Sequence, residues 1–159
     1  ACGDGTVIPF GCMDSSPKSA NVVPSQVTFT ADCRSSDIRS IRTVMEAFRE
    51  TLRESTEHCP DLSFEISRTL QADPAAMDMR LKKIIEDAAD ELSLSSMHLL
   101  SGAGHDTMNF KNMCPLAMIF VPSKGGRSHC PEEWTDYRQI SDGADVLLRT
   151  IIKAAAHEI

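Results

Sequence analysis

From Gln26 to Arg34 the chain alternates strictly, with Val27, Phe29, Ala31 and Cys33 on one side and Thr28, Thr30 and Asp32 on the other. Period two with strong β-formers predicts a half-buried antiparallel strand. The periodicity then changes. Ile38, Ile41, Val44, Met45, Phe48 and Leu52 form a helical stripe that runs to about His58. Ser35 and Ser36 offer an N-cap, and Asp37 suits the positive helix end. Pro60 punctuates the helix, and Leu62, Phe64 and Ile66 alternate again as a further strand. Residues 5–12 read as a short strand, and 13–25, with Pro17, Pro24, Asn21 and several serines, as a loop. The first part is thus β, β, α, β: a helix packed on an antiparallel sheet.

Asp73-Pro74 marks a break. A second helical stripe follows through Met77, Leu81, Ile84, Ile85, Ala88 and Leu92. A short strand is predicted at 97–100, then a glycine-rich turn from Ser101 to Asp106 and a short helix to about Asn112. Leu116 to Val121 is the longest apolar run; it does not alternate, as in a strand buried on both faces of a parallel sheet. A polar loop covers 122–134. The last helix starts near Asp136, with Gln139 as a capping-box partner, and its stripe is Ala144, Leu147, Leu148, Ile151, Ile152 and Ala155. This second part reads α, β, α, β, α. Two strands make a poor central sheet, so further strands are expected from an upstream segment.

Composition narrows the function classes. The 159 residues suffice for one ordinary domain or two small ones. A net charge of −7, with basic residues scattered among acids, argues against nucleic acid. No stretch approaches the ~20 apolar residues of a membrane span, and no signal peptide is recognisable. Six cysteines without a CxxC pair argue against a zinc ribbon and read as reduced thiols of a cytoplasmic protein. The chain opens at Ala1 without an initiator Met, which suggests that the protein begins upstream.

Four places carry candidate chemistry. In Ser101-Gly102-Ala103-Gly104-His105-Asp106 the glycines let backbone approach a ligand, and His105 could donate to a substrate anion; the plain alternative is a tight turn with Asp106 as N-cap. The loop Gly125-Gly126-Arg127-Ser128-His129-Cys130-Pro131-Glu132-Glu133 follows a buried strand, where α/β active sites lie. His129 there is either a metal ligand or a surface histidine, and Glu132 and Glu133 are either an acid and base or a solvated helix start. A Cys130–His129 nucleophile is disfavoured because sequence neighbours seldom reach each other. Asn21 could donate to a ureido oxygen and Arg34 could grip a carboxylate, or they form an Asx turn and a surface ion pair.

Taken in order, SANVVP, VTFTADCR, SGAGHD and AMIFVPSKGGRSHCPEEW resemble the zinc aminoacylase/carboxypeptidase superfamily. The nearest branch is the allantoate amidohydrolases, ureidoglycolate amidohydrolases and N-carbamoyl-L-amino-acid hydrolases. The resemblance implies an α/β fold forming the C-terminal part of a two-domain metallohydrolase. Residues 1–72 would be most of an α+β lid that also dimerises, and 73–159 the C-terminal piece of the α/β catalytic domain. It implies substrate contacts at Asn21, Arg34, Gly104 and His105, a metal ligand at His129, and a small ureido or carbamoyl substrate. The implied chemistry is metal-assisted hydrolysis of linear C–N bonds with two divalent ions, zinc or manganese, and a Glu as general base. The remaining metal ligands and that Glu match no position here, which implies a chain inactive by itself. A free-standing dimerisation or complementation module and a related aminoacylase or dipeptidase are the alternatives.

Overall fold

The computed structural model describes residues 5–156. It is a mixed α/β chain with one small sheet and several helices, divided into two compact units. One unit runs to Pro74 and includes Leu100–Ala103; the other comprises Ala75–Leu99 and the chain from Gly104 onward.

In the first unit, β1 (Phe10–Ser16) pairs antiparallel with β2 (Gln26–Ala31), from Phe10 opposite Ala31 to Ser16 opposite Gln26, with a bulge between Phe10 and Met13. The bridge Val7–Arg34 prolongs the pairing. The first strand therefore lies later than the 5–12 expected, and Asp14, Ser15 and Ser16 belong to it and not to a loop. Their low strand propensity is overridden by the paired edge that β2 supplies. The face carrying Phe29 meets α1 (Ile38–His58): Phe29 lies 5.6 Å from Phe10 and edge-on to Phe48 at 6.4 Å. Val27 is 52% exposed, so the strand is less buried than its alternation suggests. The cap of α1 is Asp37, which accepts from the Arg39 N–H at 2.9 Å. Ser35 sits behind it and accepts from the Asp37 N–H through Oγ at 3.2 Å.

The second unit is built on α2 (Met79–Glu91) and α3 (Tyr137–Ala156). Ala88, Ala89 and Val146 form its core, bordered by Ile85, Leu92, Leu94 and Ile119. The alanines let the helices approach closely. Asp78 caps α2 by accepting from Arg80 N at 2.8 Å, and its own N–H donates to Leu116 O at 2.7 Å. At the other end of α2, Glu91 receives Lys153 Nζ at 2.6 Å and Arg149 Nη1 at 3.3 Å from α3.

Three strand expectations fail. Residues 62–66, 97–100 and 115–121 pair with no other strand among the described residues. Side-chain alternation can prepare a face, but only a neighbouring backbone makes a ladder. The 115–121 segment still seats Leu116 in the interior, with Phe120 55% exposed. The stripe of α3 is inverted relative to expectation. Val146 and Thr150 are buried, whereas Leu147, Leu148, Ile151 and Ile152 lie 50–61% exposed. Asp136 does cap α3, accepting from Arg138 N at 2.9 Å. Gln139 makes no capping-box bond among the described residues.

Candidate functional site

Asn21 and Arg34 lie in the first unit. Asn21 Oδ1 accepts from Ser19 Oγ at 2.6 Å, a local turn contact on the exposed hairpin connection. Arg34 follows β2 and bridges back to Val7 through its backbone. Its Nε donates to Asp32 Oδ2 at 2.8 Å, Nη2 donates to the same oxygen, and Nη1 donates to Gly102 O at 3.1 Å. The guanidinium holds the Asp32 carboxyl below the usual carboxylate range by hydrogen bonding and, to a lesser degree, by charge. The Arg34 fork is thus occupied by a neighbouring carboxylate and a main-chain carbonyl, and no hydrogen bond joins it to Asn21.

Gly104, His105 and His129 lie in the second unit. A Cβ added at Gly104 would meet nothing within 4 Å, and Gly104 does not adopt positive φ. Neither the turn nor packing requires glycine there, so the open space before its Cα is the property that a larger residue would remove. His105, not Asp106, caps the 3-10 turn Asp106–Phe110. Its Nδ1 accepts from the Thr107 N–H at 3.1 Å and lies 2.8 Å from Thr107 Oγ1.

The segment 122–134 is tied by its own backbone. Lys124 N donates to Trp134 O at 2.7 Å, Ser123 Oγ to Arg127 O at 2.6 Å, and Glu133 N to Cys130 O at 3.0 Å. Arg127 pairs with Glu132 at 3.5 Å. Gly125 and Gly126 both turn through φ +66°. His129 itself sits at φ +57°, where non-glycine residues are uncommon, and its N–H donates to Glu133 Oε2 at 2.7 Å. Its imidazole bonds to nothing among the described residues.

Glu133 therefore holds a backbone and Glu132 an arginine. No contact joins Cys130 to the His129 ring, and Cys12, Cys59, Cys114 and Cys130 are free thiols. Among the described residues no group of three or more His, Cys, Asp or Glu could hold a metal. His129 is one available imidazole, and these residues do not form a metal centre by themselves.

Sequence reading overlooked Glu133 as the partner of the His129 N–H and Thr107 as the partner of the His105 ring. The four-residue spacing from 129 to 133 was visible but not diagnostic. The Asp-x-Arg spacing was visible too: it recurs at 32/34, 37/39, 78/80 and 136/138, three of these at helix caps.

Residues 4–153 match the model of peptidase family M20/M25/M40, and the chain belongs to that family. Within it, the chain is similar to the amidohydrolase branch. It is 32% identical over 148 residues to the N-carbamoyl-L-amino-acid amidohydrolase of Paenarthrobacter aurescens, covering 93% of this chain and 36% of that protein. It is 31% identical over 153 residues to the allantoate amidohydrolase of Escherichia coli, covering 96% and 37%. The crystal structure of an amidase of the hydantoinase/carbamoylase family from Burkholderia multivorans superposes with a TM-score of 0.86 at 28% identity, covering 95% of this chain and 36% of that one. The chain thus spans little more than a third of the relatives it matches.

Proposed function

We propose that this chain is the C-terminal part of a metal-dependent amidohydrolase that cleaves linear C–N bonds of allantoate, ureidoglycolate or N-carbamoyl-L-amino acids and releases ammonia. The observation that carries this reading is near-complete coverage of the chain by one third of enzymes bearing those names. Residues 1–72 are read as the lid, through which a homodimer forms, and 73–159 as the C-terminal piece of the catalytic domain. Two divalent ions, zinc or manganese, would activate water in the complete protein, with His129 as the one ligand from this chain. The left-handed backbone of His129, pinned by Glu133, leaves an imidazole with no partner among the described residues, which supports its availability to a metal. Asn21, Arg34, Gly104 and His105 would bind and orient the substrate. Arg34 would have to exchange Asp32 or Gly102 for a substrate carboxylate. The setting is read as cytoplasmic; no helix among the described residues is long and apolar enough to cross a membrane.

The test compares the native protein in its source with the purified 159-residue chain. The native protein should exceed 17.4 kDa and release ammonia from at least one of these compounds, and the chain alone should release none. Ammonia from the chain alone overturns its inactivity. No ammonia from the native protein with any of them overturns the amidohydrolase reading. The second reading, a complementation module, is favoured by the uncovered stripe of α3; a native mass of 17.4 kDa would make it the leading one.

A further inference from the structure

We propose that Thr107 is a positioning residue that fixes the tautomer and ring plane of His105, so that Nε2–H faces outward as a hydrogen-bond donor for the substrate. The inference rests on the substrate-binding role given to His105 above, but its structural half stands on its own geometry. The Thr107 main-chain N–H can only donate, and it meets His105 Nδ1 at 3.1 Å. Nδ1 is therefore the unprotonated nitrogen of a neutral imidazole, and the proton resides on Nε2. The Thr107 hydroxyl, 2.8 Å from the same nitrogen, must then donate as well. Two donors from one residue converge on one lone pair. They make the histidine the side-chain cap of the turn Asp106–Phe110 and restrict rotation of the ring. Among the described residues Nε2 has no partner. Thr107 is half-buried while His105 is exposed, so the anchor is sheltered and the donor is open.

A group that accepts from Nε2–H carries a lone pair and needs no positive charge opposite it. A carbonyl or carboxylate oxygen fits, and an ammonium does not. Binding energy gained this way is of the uniform kind, felt in KM more than in kcat.

The experiment uses the native polypeptide with 15N-labelled histidine, the His105 signals being identified by their loss in His105→Gln. The expected signature is an unprotonated Nδ1 and a protonated Nε2. Thr107→Val keeps the main-chain donor and loses the hydroxyl, so the Nε2–H population should fall without vanishing, and Thr107→Ser should restore it. In ammonia-release assays with N-carbamoyl-L-amino acids and allantoate, Thr107→Val should raise KM about fivefold, the effect of one ordinary hydrogen bond, with kcat little changed. Thr107→Ser should recover most of this. A protonated Nδ1 in the parent protein, or signals indifferent to Thr107→Val, overturns the proposal. Altered signals with unaltered KM overturn its functional half. If the parent shows no ammonia release at all, the amidohydrolase reading falls, and the nitrogen signals still decide the tautomer.

Discussion

The main-chain N–H of His129 donates to Glu133 Oε2 at 2.7 Å while His129 occupies φ +57°. A side chain four residues on thereby stabilises a conformation that a β-carbon resists, at a cost of roughly 1 kcal/mol or more for a non-glycine residue. The backbone strain is local, and the imidazole is left without a partner among the described residues.

This separates folding from function at position 129. Asparagine tolerates left-handed backbone at least as well as histidine. His129→Asn should leave unfolding free energy within about 0.5 kcal/mol of the parent, read by urea titration. In the native polypeptide the same change should abolish stoichiometric metal, read by elemental analysis of the purified protein. Retained metal would remove His129 from the ligand set.

Glu133→Ala removes the acceptor and leaves the ring in place. As a supporting contact one step from the proposed metal, it should weaken metal affinity about 10- to 100-fold, measured by competition with a chelator. An unchanged affinity would make the 129–133 bond a matter of loop geometry alone.

Gly104 and Gly143 should respond oppositely to alanine. A Cβ at Gly104 meets nothing within 4 Å, so Gly104→Ala should leave the melting temperature within the range of neutral surface changes, yet raise KM in the native polypeptide. A Cβ at Gly143 would lie 2.4 Å from Val121 Cγ1. Gly143→Ala should therefore destabilise by about 1–3 kcal/mol through overpacking, partly offset by the helix propensity of alanine. Equal melting curves for the two variants would contradict the packing.

Lys153, and then Arg149, hold the Glu91 carboxyl below the ordinary glutamate range by hydrogen bond and charge. A carboxylate with a depressed folded-state pKa favours the folded chain above its unfolded value. That contribution fades as pH falls through the lower, folded value. Glu91→Gln should thus lower stability at neutral pH and flatten the acid limb of a melting-temperature profile taken from pH 7 to 3. An acid limb of unchanged slope would show that the α2–α3 pair is fully screened.

The exposed stripe of α3 predicts solution behaviour. Leu147, Leu148, Ile151 and Ile152 form a continuous apolar face with no charge on it, and such faces promote association. The 159-residue chain should elute from size exclusion above its monomer mass. Leu148→Glu combined with Ile152→Glu should return it toward 17.4 kDa. A clean monomer before mutation would contradict an uncovered core face.

The sequence by itself determined the three long helices, the stripes of α1 and α2 and the strand at residues 26–31, because these depend on neighbours within a few positions; the serines it offered as the cap of α1 give way to Asp37. The glycine-rich turn and the 125–133 loop were legible as candidate chemistry from residue types alone. Tertiary structure decided the rest. Residues 62–66, 97–100 and 115–121 carry strand-like patterns, yet a strand exists only where another backbone accepts its hydrogen bonds. Periodicity marked α3 as amphipathic but could not tell which side meets α2. The small residues Ala88 and Ala89 draw Val146 and Thr150 inward, and the larger aliphatics face out. Nor could spacing reveal that Arg34 is engaged by Asp32 and Gly102, that Glu133 serves a backbone, or that Thr107 holds the His105 ring. Those are matters of direction and distance, which only the folded chain fixes.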